Sequence, residues 1–265
     1  MIKSIQTKHE RFFDEYVKPY DPTDPKIALK IEHTGYVVQA ADQIAQSLAL
    51  DSTQQLLVHA AALFHDIGRF EQVRRYHTFF DAKSVDHAAL GASILKEEKI
   101  LEEDFSSEQQ AQIIEAVRVH SMLSIPAEHK DWQKTLDQIV RDADKIDIFR
   151  VAATQDPIDT SGQPLEAVHN ATITPIVYES IMQEKSVLRS DRKTALDMWV
   201  SFLGFVFDLN FPKSAQLILE AGYWNKPLID LLDQNLIVDD QTRNEVAALL
   251  EKTKQFLIQK SKAAL

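Results

Sequence analysis

The sequence predicts an all-α protein, a helical bundle with a C-terminal helical extension. Only 6 of the 265 residues are Gly, well below the average usage of about 7%, which is typical of helices joined by few tight turns. Apolar residues also recur at the three- and four-residue spacing of amphipathic helices along most of the chain. The sequence contains no internal repeat and no low-complexity linker.

The sequence of the first 153 residues predicts a series of separate helices. The turn-rich segment PYDPTDP breaks the first of them, and Gly68 is expected to end the third. The polar segment after Gly68 has no clear period and is interpreted as a loop or short helix over a site. The predicted segments are helices at 1–20, 26–50 and 53–66, the loop or short helix at 69–86, and helices at 84–99, 106–121 and 132–153.

The stretch QDPIDTSGQP separates these helices from the C-terminal third. There the segment 194–209, TALDMWVSFLGFVFDL, predicts one strongly apolar helix, buried either in the core or in the interface of a homodimer. Shorter helical patterns and a charged final helix follow. We therefore expect one all-α domain over residues 1–265, with its core at about 26–150 and the helical extension at about 165–265.

The formal net charge of -11 argues against a protein that coats nucleic acid, because phosphate backbones require clustered Lys and Arg. A small phosphorylated substrate needs only a few local cations and is compatible with this charge. The first twenty residues contain no apolar signal core, and no apolar run is long enough to span a bilayer. We therefore expect a cytoplasmic protein without a membrane partner.

Six His and Asp residues lie on predicted helices, and most of them share the face of the apolar residues: His33, His65, Asp66, His87, His120 and Asp144. Such polar groups are costly to bury unless a partner compensates them. Cysteine is absent, so any metal must be held by imidazole and carboxylate. A shared metal centre explains all six positions at once.

Taken singly, each of these residues has a structural explanation. His33 fits a core histidine bonded to a neighbour, and Asp144 fits a buried carboxylate in a cap or salt bridge. The pair His65-Asp66 occupies the expected last turn of its helix, where the helix dipole favours a cation. Three other histidines lie in polar surroundings and are expected at the surface: His9, His129 and His169.

The order His…His-Asp…His…His…Asp resembles the HD-domain superfamily, whose members are helical metal-dependent phosphohydrolases with some oxygenases among them. The resemblance covers about residues 26–150, and its most specific parts are ALFHDIGRF, DHAALGASIL and RDADKID. It implies that one metal is held by His33, His65, Asp66 and Asp144. Asp66 would bridge to a second metal held by His87 and His120. Asp142 and Asp147 flank Asp144, but the family pattern favours the Asp before Lys.

Imidazole and carboxylate ligands suit divalent Fe, Mn, Zn or Mg, and the sequence does not select among these ions. Two of them would activate a bridging water as hydroxide and clamp the phosphoryl oxygens during an in-line displacement. The resemblance therefore implies hydrolysis of a small phosphoester, for which a nucleotide is one candidate, with Asp66 as the central catalytic residue. In related HD proteins, cations at the positions of Arg69 and Lys145 contact the substrate phosphate. Their structural alternative is a solvated cation at a helix end.

Three alternatives stay open. The same six ligands resemble the di-iron oxygenases of this superfamily, which cleave carbon–carbon or carbon–phosphorus bonds with O₂. A non-catalytic HD module would bind a nucleotide and report it to a partner, and an all-helical scaffold would simply bury its histidines. Two branches of the superfamily fit less well. The cyclic-dinucleotide branch has an acidic, Gly-rich stretch where SMLS follows His120, and the mononuclear branch needs neither His87 nor His120.

Overall fold

A computed structural model gives the fold and describes residues 2–158 and 163–263. Helices make up 71% of the described residues, which contain no β-strand. The predicted all-α fold class is therefore confirmed. Within the same two ranges, no helix combines the length and the apolar character that crossing a membrane requires.

The chain divides into two compact units, residues 1–144 and 145–265. The expectation of one domain over the whole chain stays a prediction. The first unit contains six helices, a 3₁₀ turn at Asp81–Lys83 and the first part of a seventh helix. These helices are α1 (Ile2–Val17), α2 (Pro25–Ser47), α3 (Ser52–Phe64), α4 (Ile67–Tyr76), α5 (His87–Glu97), α6 (Ser107–Val119) and α7 (Asp131–Thr154).

Capping residues explain where several helices begin. The Asp51 carboxylate accepts a hydrogen bond from the Gln54 amide, and the Gln54 side chain accepts one from the Asp51 amide, which makes a capping box at the start of α3. Ser106 and Gln109 form the same motif at the start of α6. Asp86 caps α5 because its side chain accepts hydrogen bonds from the backbone amides of Ala88 and Ala89. These three helices begin within three residues of their predicted starts.

Helix α3 is central to the first unit. It packs against α1, α2 and α6, and every residue from Leu56 to Phe64 is buried. A helix covered on several sides is apolar all round rather than along one stripe, which explains the run LLVHAAALF. This packing places the end of α3, and the residues that follow it, in the interior of the unit.

The expectation that Gly68 ends α3 is wrong. Helix α3 ends at Phe64, and Gly68 lies in the first turn of α4. There α4 packs against α5, and a Cβ atom on Gly68 would lie 2.7 Å from the Gly91 nitrogen. The missing side chain therefore serves the close approach of two backbones and not the termination of a helix.

The expectation of surface histidines holds for His169, which is exposed, and is wrong for His9 and His129. His9 is 1% exposed, and its Nε2 lies 3.0 Å from the Asp104 carboxylate. His129 retains 10% exposure of its side chain, and its Nδ1 lies 2.6 Å from Asp137. Asp104 lies 95 residues from His9 in the sequence, so the polar neighbours of His9 do not reveal this partner.

The second unit begins with the last part of α7. The segment 194–209 does not form the single helix predicted for it, because α-helical geometry ends at Ser201 and a 3₁₀ helix continues to Asp208. Leu203 and Val206 in this 3₁₀ helix, and Val200 and Leu209 on either side of it, are buried at a spacing of three residues, which fits three residues per turn. The remaining helices are α8 (Pro175–Met182), α9 (Ala195–Ser201), α10 (Pro212–Ala221), α11 (Lys226–Asp233) and α12 (Asp240–Ser261).

The buried residues of segment 194–209 belong to the hydrophobic core of the second unit. Trp199 is 4% exposed, and it packs within the same core as residues of α10 and α12 such as Ile218 and Leu249. Of the two places predicted for this segment, the structure shows the core. A homodimer stays a prediction.

Candidate metal centre

The structure brings together the six residues predicted to hold metal. They lie on α2, at the α3–α4 junction, at the start of α5, at the end of α6 and on α7, in the order His33, His65 and Asp66, His87, His120 and Asp144. Their ligand atoms form two groups, each within 4.8 Å. One group contains His33, His65 and Asp144, and the other contains Asp66, His87 and His120.

The Asp66 carboxylate lies between the two groups. Its Oδ2 is 3.7 Å from His33 Nε2 and 3.6 Å from His65 Nε2. Its Oδ1 is 3.4 Å from His87 Nε2 and 3.6 Å from His120 Nε2. Since a carboxylate has two oxygens that can bind separate cations, Asp66 is placed to serve both groups.

Hydrogen bonds fix the orientation of three imidazole rings. His65 Nδ1 and His120 Nδ1 each lie 2.7 Å from a backbone carbonyl oxygen three residues earlier in the chain. A carbonyl oxygen only accepts, so both Nδ1 atoms donate. His87 Nδ1 donates to the Asp81 carboxylate over 2.7 Å. In each neutral ring, Nε2 then carries a lone pair directed at the other candidate ligands.

Three acceptors converge in the second group. His87 Nε2 and His120 Nε2 lie 3.2 Å apart, and Asp66 Oδ1 is buried without a hydrogen-bond partner among the described residues. Facing lone pairs repel, and a buried oxygen without a hydrogen bond is costly even with the Arg69 cation 3.4 Å away. Two nitrogens bound to one ion at about 2.1 Å and at roughly a right angle would be about 3 Å apart. The spacing therefore fits a metal cation.

The first group has a similar geometry. His33 Nε2 and His65 Nε2 lie 3.2 Å apart, and His33 Nε2 is 3.1 Å from Asp144 Oδ1. Together with Asp66 Oδ2, these atoms offer two nitrogens and two oxygens to a cation. Imidazole and carboxylate donors in this ratio suit divalent transition metals and exclude none of the ions expected from the sequence.

The protonation states also suit metal binding. Burial lowers the pKa of His65 to about 3 and lowers the pKa of His87, so both rings stay neutral, as a ligand must be. Burial alone would raise the pKa of Asp66, but the nearby Lys30 ammonium, together with the Arg69 guanidinium, outweighs it and holds the pKa well below its usual value. Burial of Asp144 is likewise outweighed by histidine contacts, and its pKa is lowered. Both carboxylates are ionised.

Two cations flank Asp66 on the side of the 77–86 segment. Lys30 Nζ donates to Asp66 Oδ2 over 2.5 Å, and Arg69 Nε lies 3.4 Å from Asp66 Oδ1. Both cations also lie over the Phe79 ring, at 5.4 Å and 5.6 Å from its centroid. The sequence alone did not indicate Lys30. Its position one helical turn before His33 was the available signal.

Arg69 also anchors the segment that follows α4. Its Nη1 donates to the Phe79 carbonyl over 2.7 Å and to Asp81 over 2.9 Å. In the second unit, Lys145 Nζ pairs with Asp208 over 2.8 Å. The phosphate-binding roles expected for Arg69 and Lys145 stay predictions.

Residues 31–148 match the family model of the HD domain. The chain contains an HD domain. All six residues predicted to hold metal lie inside the matched range, and Lys30 directly precedes it. HD domains bind divalent metals and are typically metal-dependent phosphohydrolases, which agrees with the donor set of this HD domain. A comparison with curated proteins found no match, and neither did one with solved structures.

Proposed function

We propose that this chain is a metal-dependent hydrolase of a small phosphoester, with a nucleotide as one candidate substrate. The observation that carries the proposal is the convergence of imidazole and carboxylate acceptors on both sides of Asp66 inside an HD domain. Two divalent ions would be held by His33, His65, Asp66 and Asp144 and by Asp66, His87 and His120. Such ions, when bound, supply Lewis-acid activation of water and of the phosphoryl oxygens.

The charge around Asp66 supports an anionic substrate. Lys30 and Arg69 add positive charge next to the six ligands, and Asp81, which is not one of those ligands, adds one negative charge beside Arg69. Two divalent ions would outweigh the two ligating carboxylates, so the loaded site would be positive. A phosphoryl group gains from such a field in its ground state and still more as charge develops on its oxygens.

The accessible side of the site is the side that carries these cations. The four ligand histidines and Asp66 are at most 4% exposed. By contrast, the side chains of Asp144, Lys30 and Arg69 are 17%, 16% and 15% exposed, and that of Asp81 is 35% exposed. A substrate that arrives from this side meets Lys30 and Arg69 before the buried ligands, so these cations would bind and orient its phosphoryl group.

Metal analysis of the purified protein tests the metal-binding part of the proposal. We expect two divalent ions per chain under conditions that protect bound metal. Asp66→Ala should lose both ions, because each group contacts one oxygen of this carboxylate. Asp14→Ala is the matched control, since Asp14 is exposed on α1 and should leave the metal content unchanged. Less than one ion per chain in the wild type would contradict the proposal.

Product analysis tests the hydrolytic part. Phosphate release should be measured on a panel of nucleotides and simpler phosphomonoesters, beside O₂ consumption in the presence of ferrous iron. We expect phosphate release that continues in the absence of O₂ and that is lost in Asp66→Ala. Turnover that requires O₂ would replace the hydrolase by the oxygenase with the same ligands.

A further inference from the structure

We propose that Asp81 is a positioning residue that fixes the tautomer of His87 and thereby decides whether the Asp66–His87–His120 group binds an ion. The inference rests on the proposed function and goes beyond its six ligands. Asp81 lies in the 3₁₀ turn between α4 and α5, and the sequence alone did not indicate it.

The Asp81 carboxylate accepts hydrogen bonds from three side chains. Its Oδ2 accepts from His87 Nδ1 over 2.7 Å. Its Oδ1 accepts from Arg69 Nη1 over 2.9 Å and from Gln72 Nε2 over 2.8 Å. Gln72 also donates to Ser84 Oγ over 2.9 Å, which ties the segment carrying Asp81 to α4.

The bond to His87 matters because an imidazole ring can ligate a metal only through a nitrogen without a proton. With the proton of the neutral ring on Nδ1, the lone pair is on Nε2, which lies 3.2 Å from His120 Nε2 and 3.4 Å from Asp66 Oδ1. A carboxylate partner fixes this tautomer and this ring orientation. His65 and His120 obtain the same tautomer from backbone carbonyls, so His87 alone among these three depends on a side chain.

Asparagine at position 81 would reverse the tautomer. Arg69 and Gln72 both donate to the Oδ1 position, so the amide oxygen of Asn must occupy it. The amide NH₂ then faces His87 Nδ1, which must accept. The proton of the neutral ring moves to Nε2, where it blocks metal ligation.

Asp86 provides a matched control in the same segment. Like Asp81, Asp86 has a carboxylate close to His87. Its Oδ1, however, accepts hydrogen bonds from the backbone amides of Ala88 and Ala89 at the start of α5. Asn caps helices about as well as Asp does. Asp86→Asn therefore makes the same chemical change without altering the partner of His87 Nδ1.

Long-range ¹H–¹⁵N spectra of the metal-free protein test the tautomer directly, with His87 assigned by comparison with His87→Gln. We expect a proton on Nδ1 in the wild type and in Asp86→Asn, and on Nε2 in Asp81→Asn. A wild-type His87 protonated on Nε2 would overturn the inference, even if Asp81→Asn failed to fold. An Asp81→Asn ring that keeps its proton on Nδ1 would overturn it as well.

Titration with Mn²⁺ or Zn²⁺ tests the consequence. We expect two bound ions in the wild type and in Asp86→Asn, and one ion in folded Asp81→Asn, held by the first group. Two ions in Asp81→Asn would overturn the inference. If the wild type binds no ion, the proposed function fails, and the spectra of the metal-free protein still decide whether Asp81 sets the tautomer of His87.

Discussion

Gly68 and His87 touch through their backbones: a Cβ atom on Gly68 would lie 2.2 Å from the His87 carbonyl oxygen. The contact joins the first turn of α4, just after Asp66, to the first residue of α5. A distance of this size leaves no room for a methyl group, so α4 and α5 can pack this closely only with glycine at position 68. The spacing between the candidate ligands Asp66 and His87 thus depends on the absence of a side chain at position 68.

Gly68→Ala should destabilise the protein by roughly 1–3 kcal/mol, because the added Cβ pushes the two backbones apart. Gly35→Ala is the control, since Gly35 lies within α2 and a Cβ there has no atom within 4 Å. That change should stabilise α2 by up to about 1 kcal/mol through helix propensity. Urea unfolding of both variants measures the difference. Equal stabilities would contradict the close contact.

Lys30→Met should strengthen metal binding, because the Lys30 ammonium occupies Asp66 Oδ2 at 2.5 Å and repels any ion that approaches it. We expect at least about a tenfold tighter dissociation constant for the first ion. The metal-free protein should lose roughly 3 kcal/mol of stability, since the buried Asp66 carboxylate loses the closer of its two cationic partners, Lys30 and Arg69.

Calorimetric titration with Mn²⁺ and urea unfolding measure these two effects. Lys18→Met is the matched control, because Lys18 is exposed and pairs with Glu15 one turn away, a kind of pair worth less than about 1 kcal/mol. Weaker metal binding in Lys30→Met would show that the ammonium does not compete with the ion.

Arg141→Met should loosen the end of α6. Arg141 is buried, with 3% of its surface exposed. Its guanidinium donates to the carbonyl oxygens of His120 and Leu123 over 3.2 Å and 3.3 Å. Without it, these carbonyl oxygens lose charged hydrogen bonds, which costs roughly 3 kcal/mol. Amide hydrogen exchange of residues 121–124 should accelerate with the loss of stability.

Arg118→Met is the comparison for this change. Arg118 lies on the outer side of α6 with a 40% exposed side chain and pairs with Glu115. Its replacement should cost less than about 1 kcal/mol and leave hydrogen exchange after His120 unchanged. A similar loss of stability in both variants would contradict the expected contribution of Arg141 to this helix end.

The stability of the metal-free protein should fall as the pH decreases below about 6.5. Burial lowers the pKa of His65 from 6.5 to about 3. Between these values the unfolded chain binds a proton that the folded chain does not, so acid favours unfolding. The lowered pKa values of Asp66 and Asp144 act only below about pH 4, and so the two effects separate.

Unfolding free energies measured between about pH 7.5 and pH 5 test this expectation. The wild type should lose an amount on the order of 1–2 kcal/mol over this range. His65→Asn should show a smaller loss, and His169→Asn, at an exposed position, should match the wild type. A stability independent of pH in the wild type would contradict a buried neutral His65.

Much of the fold could be predicted from the sequence, because caps and apolar spacing are local signals. Asp51, Asp86 and Ser106 cap α3, α5 and α6, and these helices begin within three residues of the starts that the apolar spacing predicts. The errors arise where long-range packing decides. Gly68 serves the contact with α5 and not a helix end, and His9 is buried because its partner Asp104 comes from beyond α5.

The residues of the candidate site also differ in how readily they could be predicted from the sequence. The six proposed ligands could be selected because several inward His and Asp residues form a pattern in the sequence. Lys30 and Asp81 could not be selected so easily, since each is one of many charged residues and its importance depends on a single partner. Those partners, Asp66 for Lys30 and His87 for Asp81, become evident only when the chain is folded.

The distribution of the six residues along the chain also has a consequence for biosynthesis. His33 is made first and Asp144 last, with 110 residues between them. A growing polypeptide that has passed His120 already contains Asp66, His87 and His120, but it lacks the carboxylate that completes the His33–His65 group. On the ribosome, one half of the centre can therefore assemble before the other, and the full centre must wait until α7 has emerged.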